Sequence, residues 1–264
     1  MRSAGNSELI AITRPVSPSL AKCELTHLAR EPIDVARASE QHAAYERLLG
    51  SLGVTIVRAP AAPDFPDAVF IEDTAVVLDE VAVITRPGAP SRQGESAAVA
   101  PVLANYRPLL LMEPPATLDG GDVLRIGRTL YVGRSGRTNH QGIEQLRSLV
   151  ARFDYRVLPV DFTGCLHLKS AVTDVADGLL LLNPAWISGA AFPGCDTLPI
   201  DESESYGANA LRIAGTVIYP SQYPRTRDLL VQRGLRVASV DCSELAKAEG
   251  AVTCCSLVFE HELA

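Results

Sequence analysis

The 264-residue sequence predicts an α/β fold built as a propeller-like ring of five similar units. Three observations carry that expectation. A hairpin signature recurs: a polar or glycine-rich lead-in, a strand, a tight turn, a second strand, then a Pro, Gly or Ser break. It covers 74–85 (turn Asp79-Glu80), 122–133 (Gly127-Arg128), 171–183 (Asp177-Gly178) and 210–220 (Ala214-Gly215). The turns fall about 40–50 residues apart, within the repeat range of ring-like arrays. Lastly, the chain ends complement each other. Residues 256–260 would supply a fifth first strand and 8–14 its second, closing the ring and removing free sheet edges. The competing reading is an ordinary α/β sheet whose hairpins look alike, but four hairpins with the same flanks do not arise readily from a doubly wound parallel sheet.

Between hairpins the apolar period changes from two to that of a helix. Residues 39–52 place Ala43, Ala44, Leu48, Leu49 and Leu52 at helical spacing, with Ser39 as cap and Gly53 as stop before a strand at 54–57. Residues 91–105 repeat the theme before a strand at 109–112. Residues 139–153, with Ile143, Leu146, Leu149 and Val150 on one face, precede a strand at 155–160. Residues 225–233 lead through Gly234 into 235–240. The 187–200 unit is the exception, because its Gly, Pro and Cys content makes a poor helix. No linker or composition shift divides the chain, so residues 1–264 read as one domain.

Composition narrows the function classes. Hydrophobic residues make up 47% but aromatics only 5%, so the core is aliphatic. A net charge of −7 argues against nucleic acid or an anionic membrane as partner and favours a small cationic ligand. Residues 1–6 are polar and 9–12 too short for a signal peptide, and no stretch approaches a membrane span. Six scattered cysteines without a Cys-x-x-Cys pair or clustered His point to free thiols in the cytoplasm and to no zinc site.

A ring points its lead-ins at one hub, and these carry Asp67, Glu72, Asp73, Asp119, His167 and Cys254. Cys254 and Cys255 are adjacent at the start of the last strand. One reads as a buried small hydrophobe and the other as facing the opposite side. His167, between leucines, is either a satisfied core histidine or the partner of a thiol. Asp119 precedes Gly120-Gly121, a turn that also permits close approach of another group. Carboxylates at Glu72 and Asp73 within the apolar run 69–77 require a cation, from the protein or from a guanidinium ligand. Arg86 and Arg137, after the first and second hairpins, suit bidentate carboxylate binding, though each also reads as a solvated surface residue. Together the set suits a ligand with a cationic head and an amino-acid tail.

These residues resemble one family over nearly the whole chain. The motifs are Phe65-Pro66-Asp67, Phe70-x-Glu72-Asp73, Ile84-Thr85-Arg86-Pro87-Gly88, Leu118-Asp119-Gly120-Gly121-Asp122, Gly136-Arg137-Thr138-Asn139, His167-Leu168-Lys169-Ser170 and Thr253-Cys254-Cys255-Ser256. In order and spacing they are similar to the dimethylarginine dimethylaminohydrolases of the guanidino-group-modifying (pentein) superfamily. The resemblance implies a five-bladed α/β propeller of ββαβ units around a central pore-like active site. It implies Cys254 as nucleophile, His167 as general acid and base, and Asp119 to orient His167. By the same token Asp73 would bind the guanidinium, Asp67 the α-amino group, and Arg86 and Arg137 the α-carboxylate. Leu20 would belong to a loop closing over the pocket, Phe70 would line it, and Glu72 would contact substrate or serve structure. The implied reaction converts Nω-methylated L-arginine to L-citrulline and an alkylamine, with no metal and no organic cofactor. Alternatives are hydrolysis of unmodified arginine, as in the longer arginine deiminases, of another Nω-substituted arginine, or a non-catalytic binding ring. The expected partner is a small guanidino amino acid; exposed ring faces are compatible with a homodimer.

Overall fold

Each hairpin expected from the sequence forms in the computed structural model, which describes residues 7–262. The polar start at 1–6 lies outside the described residues. The pairs are Ala75–Val77 with Ala82–Ile84, Val123–Ile126 with Thr129–Arg134, Val172–Ala176 with Leu179–Leu182, and Leu211–Ile213 with Thr216–Pro220. The fifth joins the two ends of the chain, with Leu257–Glu262 antiparallel to Ser7–Thr13. A third strand then adds in parallel to the second strand of each hairpin: Leu109–Leu111, Arg156–Asp161, Asp196–Pro199, Arg236–Val240 and Thr55–Arg58. The result is five separate three-stranded sheets, a five-bladed α/β propeller of ββαβ units.

Burial explains why the second strands read as unbroken apolar runs. In Leu179–Leu182 all four leucines are buried, but they alternate between two core clusters. Leu180 and Leu182 pack with Phe192 and Tyr131, whereas Leu179 and Leu181 pack with Val217 and Tyr219. Ile10 and Ile12 alternate with Ala11 in the same way. Each sheet is therefore covered on both faces by its neighbours, as the period-two side-chain alternation requires.

The connecting helices follow the sequence with two corrections. The first helix is Val35–Ser51, capped by Asp34, whose carboxylate accepts the Arg37 N–H at 3.0 Å. Ser39 lies inside it, its hydroxyl donating to the Val35 carbonyl at 2.8 Å. Asp34 wins because it also follows Pro32-Ile33 and leaves one more turn to the helix. Residues 91–105 do not form one helix but three short turns, Pro90–Arg92, Glu95–Ala98 and Ala100–Leu103. Gly94 and Pro101 interrupt the helix, and the break turns Arg92 and Glu95 inward to be buried at 3% and 1% exposure. His140–Val150 is capped by Asn139, which accepts the Gly142 N–H at 2.7 Å. Pro224–Gln232 matches expectation, and 187–200 supplies only the turn Gly189–Ala191 before its strand. All six cysteines are free, and no helix of the described residues is long and apolar enough to cross a membrane.

Candidate active site

The lead-ins become short helical turns that enter each hairpin: Ile71–Thr74, Gly120–Asp122 and Leu168–Ala171, with an irregular turn at 252–255. They crowd together at the hub, and the two glycines make this possible. A Cβ on Gly120 would lie 2.0 Å from the Glu72 carbonyl oxygen, and one on Gly121 would lie 2.7 Å from His167 Nδ1. Neighbouring residues of the same lead-ins face two back-to-back cavities. Asp73, His167 and Cys254 line one, together with Glu24, Asp67, Phe70, Arg92, Arg137 and Glu249. Glu72, Lys169 and Thr253 line the other, whose walls are the first strands of all five hairpins.

His167 is the electrostatic centre of the first cavity. Its Nε2 bonds Asp119 Oδ2 at 2.9 Å, and its Nδ1 lies 3.9 Å from Asp73 Oδ1. Asp119 is itself held by the Gly88 N–H at 2.8 Å. Asp122 accepts from the Ser135 and Thr138 hydroxyls and from the Leu168 N–H, fixing the turn that carries His167. Burial works against a charged imidazole here, but Asp73, the hydrogen bond to Asp119 and Asp122 outweigh it and push its pKa up to about 9. His167 is an imidazolium at neutral pH. Burial raises the Asp122 carboxyl to about 6. For Asp73 burial acts upward too, yet His167 and Arg92 dominate and hold it at about 2.

Asp73 already has a protein cation. Arg92 Nη1 donates to its Oδ2 at 2.6 Å, while the rest of the guanidinium is gripped by Glu95 and the Phe70 carbonyl. Asp73 Oδ1 accepts the Gly121 N–H at 2.9 Å and remains turned toward the cavity side shared with His167. One ligand atom each of Asp73, Asp119 and His167 lies within 4.8 Å of the others, a spacing open to a metal ion. These groups are nonetheless committed to each other and to Arg92.

Cys254 is partly exposed to the cavity, while Cys255 is buried with its thiol donating to the Ala251 carbonyl. Burial, then the carboxylates of Glu72 and Asp73, push the Cys254 thiol up to about 12. The thiol is protonated until a positive charge offsets those acids. Glu72 serves its loop from behind: its oxygens hold Lys169 Nζ at 2.5 Å and the Thr253 hydroxyl at 2.9 Å. Its N–H also donates to the Cys254 carbonyl at 3.1 Å, and Asn209 adds two bonds to Thr253. Glu72 thus positions the loop that carries Cys254 and does not line the Cys254 cavity.

At the far side of the cavity Asp67 accepts the Glu24 N–H at 3.1 Å, and burial raises its pKa. Arg137 is 9% exposed; its Nη2 donates to the Thr26 hydroxyl at 3.4 Å, and its buried Nη1 has no hydrogen-bond partner. Two expected residues are elsewhere. Arg86 donates to the Ala116 carbonyl and to Gln93, outside the cavity, two residues beyond the end of the strand Ala82–Ile84. Arg92 occupies the cavity wall instead. Leu20 is fully buried in the cluster containing Phe70 and Leu245, so its side chain anchors the overlying loop and does not line the cavity. Sequence reasoning missed Arg92, Glu95 and Lys169. The demand of Glu72-Asp73 for cations was their signal, but nothing in the spacing says which arginine or lysine answers it.

A ring of five ββαβ units with a thiol, an imidazolium and buried carboxylates at its hub defines a guanidino-group-modifying propeller of the pentein type. No protein-family profile matches the chain. A curated relative, N(G),N(G)-dimethylarginine dimethylaminohydrolase of Streptomyces coelicolor, is 42% identical over 250 residues, covering 94% of this chain and 95% of its own. The chain belongs to the dimethylarginine dimethylaminohydrolase family. The solved structure of the Pseudomonas aeruginosa enzyme, a Cys-to-Ser variant complexed with citrulline, matches with a TM-score of 0.91 at 35% identity, covering 95% of this chain and 98% of that one. The N-terminal domain of a cyanobacterial arginine dihydrolase shares the fold at 20% identity and a TM-score of 0.81, over 95% and 97% of the two chains.

Proposed function

We propose that the protein hydrolyses Nω-methylated L-arginine, asymmetric dimethylarginine or monomethylarginine, to L-citrulline and an alkylamine. The observation that carries this reading is the single cavity in which Cys254 and His167 face Asp67, Asp73 and Arg137. The substrate guanidinium sits beside Asp73 and Cys254, its α-amino group on Asp67 and its α-carboxylate on the unpartnered Nη1 of Arg137. Arg92 replaces Arg86 in this assignment, acting on Asp73. Phe70 packs along the substrate.

The charges fit the chemistry. Before substrate binds, burial and the acids keep the thiol protonated, and the acids keep His167 charged. A bound guanidinium offsets Glu72 and Asp73, and the thiol releases its proton to solvent. The thiolate attacks the guanidinium carbon and forms a C–S bond. His167 gives its proton to the substituted nitrogen, the C–N bond breaks, and dimethylamine or methylamine departs. Neutral His167 then takes a proton from water, whose oxygen adds to the S-alkylthiouronium carbon. Cleavage of the C–S bond releases citrulline and the thiolate. The hydroxyl proton of the adduct passes to solvent as the citrulline carbonyl forms, which leaves Cys254 a thiolate and His167 an imidazolium for the next turnover.

Parallel incubation with dimethylarginine, monomethylarginine and arginine, assayed for citrulline, tests the reading. Turnover of the methylated substrates in preference to arginine is expected; preference for arginine would overturn it. A haloamidine should label Cys254 in a substrate-protected manner, and folded protein that resists labelling would mark a binding ring instead.

A further inference from the structure

We propose that Glu249 is a positioning residue for the substrate, because its carboxylate latches the roof of the catalytic cavity. This rests on the reading given under Proposed function. The roof is the segment 24–28. Its tethers to the body are few and polar. The Glu24 N–H donates to Asp67, and the Thr26 hydroxyl accepts from Arg137. The Ser91 hydroxyl donates to Glu24 Oε1 at 2.6 Å, and the Glu249 carboxylate takes the remaining three, accepting the N–H groups of Thr26, His27 and Leu28 at 2.9, 2.5 and 2.7 Å.

Apolar packing holds this segment at Leu25, which lies against the core cluster that contains Leu20, Cys23 and Phe70. Glu24, Thr26 and His27 are exposed, and only Leu25 and Leu28 are half-buried. Beside the roof, Leu28, Ala29 and Glu249 border a separate cavity of about 250 Å³ with Tyr206 and Tyr223, so no packed layer supports it there. Two of the six tethers use Asp67 and Arg137, the groups assigned to the substrate's amino and carboxylate ends. A bound amino acid competes with the roof for both. Of the four tethers that the substrate does not contest, three end on Glu249 and one on Ser91, so the grip of Glu249 does most to keep the roof in place while the other two change partners.

The latch is built with some strain. Glu249 has φ +59°, a left-handed conformation that disfavours side chains with a Cβ. Backbone bonds close the short helix Ser243–Ala246 there, with the Glu249 N–H donating to the Ala246 carbonyl at 3.0 Å and the Gly250 N–H to the Leu245 carbonyl at 3.1 Å. Next to it, a Cβ on Gly250 would lie 2.0 Å from the Phe70 ring, so the latch rests directly on the aromatic wall of the cavity. Roof, latch and wall are therefore contiguous.

The test uses Glu249→Gly, which keeps a left-handed backbone without strain, and Glu249→Gln, which keeps one acceptor but no charge. Hydrogen–deuterium exchange at 26–28 should accelerate about tenfold or more in the Gly variant and less in the Gln variant. KM for the methylated substrate should rise about tenfold, equivalent to about 1.4 kcal/mol. The accompanying change in kcat should stay within about threefold. Unchanged exchange at 26–28, or a fall in kcat with KM unaltered, would overturn the proposal. Loss of haloamidine labelling at Cys254 in the Gly variant would do so too, by showing that the nucleophile loop itself had collapsed. Wild-type protein that forms no citrulline from any methylated arginine would sink the substrate reading alone, and exchange would still decide the latch.

Discussion

The two back-to-back cavities share the same five units, yet apart from the largely buried Glu72–Lys169 pair their charges live in different media. On the Cys254 side, Asp73, Asp119, His167 and Arg92 are each at most 5% exposed and bonded to one another or to backbone N–H groups. On the strand-lined side, Arg125 pairs with Asp79 at side-chain exposures of 35% and 55%, and Arg212 with Asp177 at 32% and 95%. Water screens these two pairs, so they hold little energy, although Arg125 and Arg212 still lower the pKa of Asp79 and Asp177. Low dielectric magnifies the first set, which is why one histidine is driven upward and one aspartate downward within a few ångströms. The repeat places side chains at the hub from several units; burial decides which face of the lead-ins becomes reactive.

The sharpest way to break this contrast is to remove the sulfur. Cys254→Ser should lower citrulline formation by on the order of 10⁴-fold or more while circular dichroism stays native. If Cys255→Ser has that effect instead, the two cysteines exchange roles.

Next is the buried ion pair. Arg92→Ala strands Asp73 and Glu95 without a cation and should destabilise the fold by about 3–5 kcal/mol in urea unfolding. Arg86→Ala, outside the cavity, should leave KM near the wild-type value. A large KM increase there, with Arg92→Ala benign, would restore the role first assigned to Arg86.

A smaller effect belongs to His167. Its folded pKa is raised from 6.5 to about 9, so the stability it contributes is fully present below pH 6.5 and is lost as pH rises through about 9. The stability gap between wild type and His167→Asn should shrink across that window. A gap that widens with pH would mean that the imidazole is neutral in the fold. kcat/KM should also fall above pH about 9, as the proton donor is lost.

The smallest effect is expected across the lead-ins. Arg125→Ala should leave the unfolding midpoint and kcat/KM unchanged. A clear loss of either would show that the screened side is coupled to the chemistry.

Much of this was legible in the chain itself. Alternating apolar residues, the tight hairpin turns and the complementary ends specified the five sheets, because hairpin register and two-sided burial are local properties of sequence. The lead-in residues Asp73, Asp119, His167 and Cys254 were legible for the same reason, since the repeat fixes where each unit begins. Tertiary structure alone decided which cations answer which acids. Arg92 reaches Asp73 across 19 positions because 91–105 breaks into turns, and Lys169 reaches Glu72 across 97. Long flexible side chains leave no periodic trace, and their partners depend on how blades distant in sequence meet in space. The roof's hold on Glu249, across more than 220 positions, is likewise a product of ring closure.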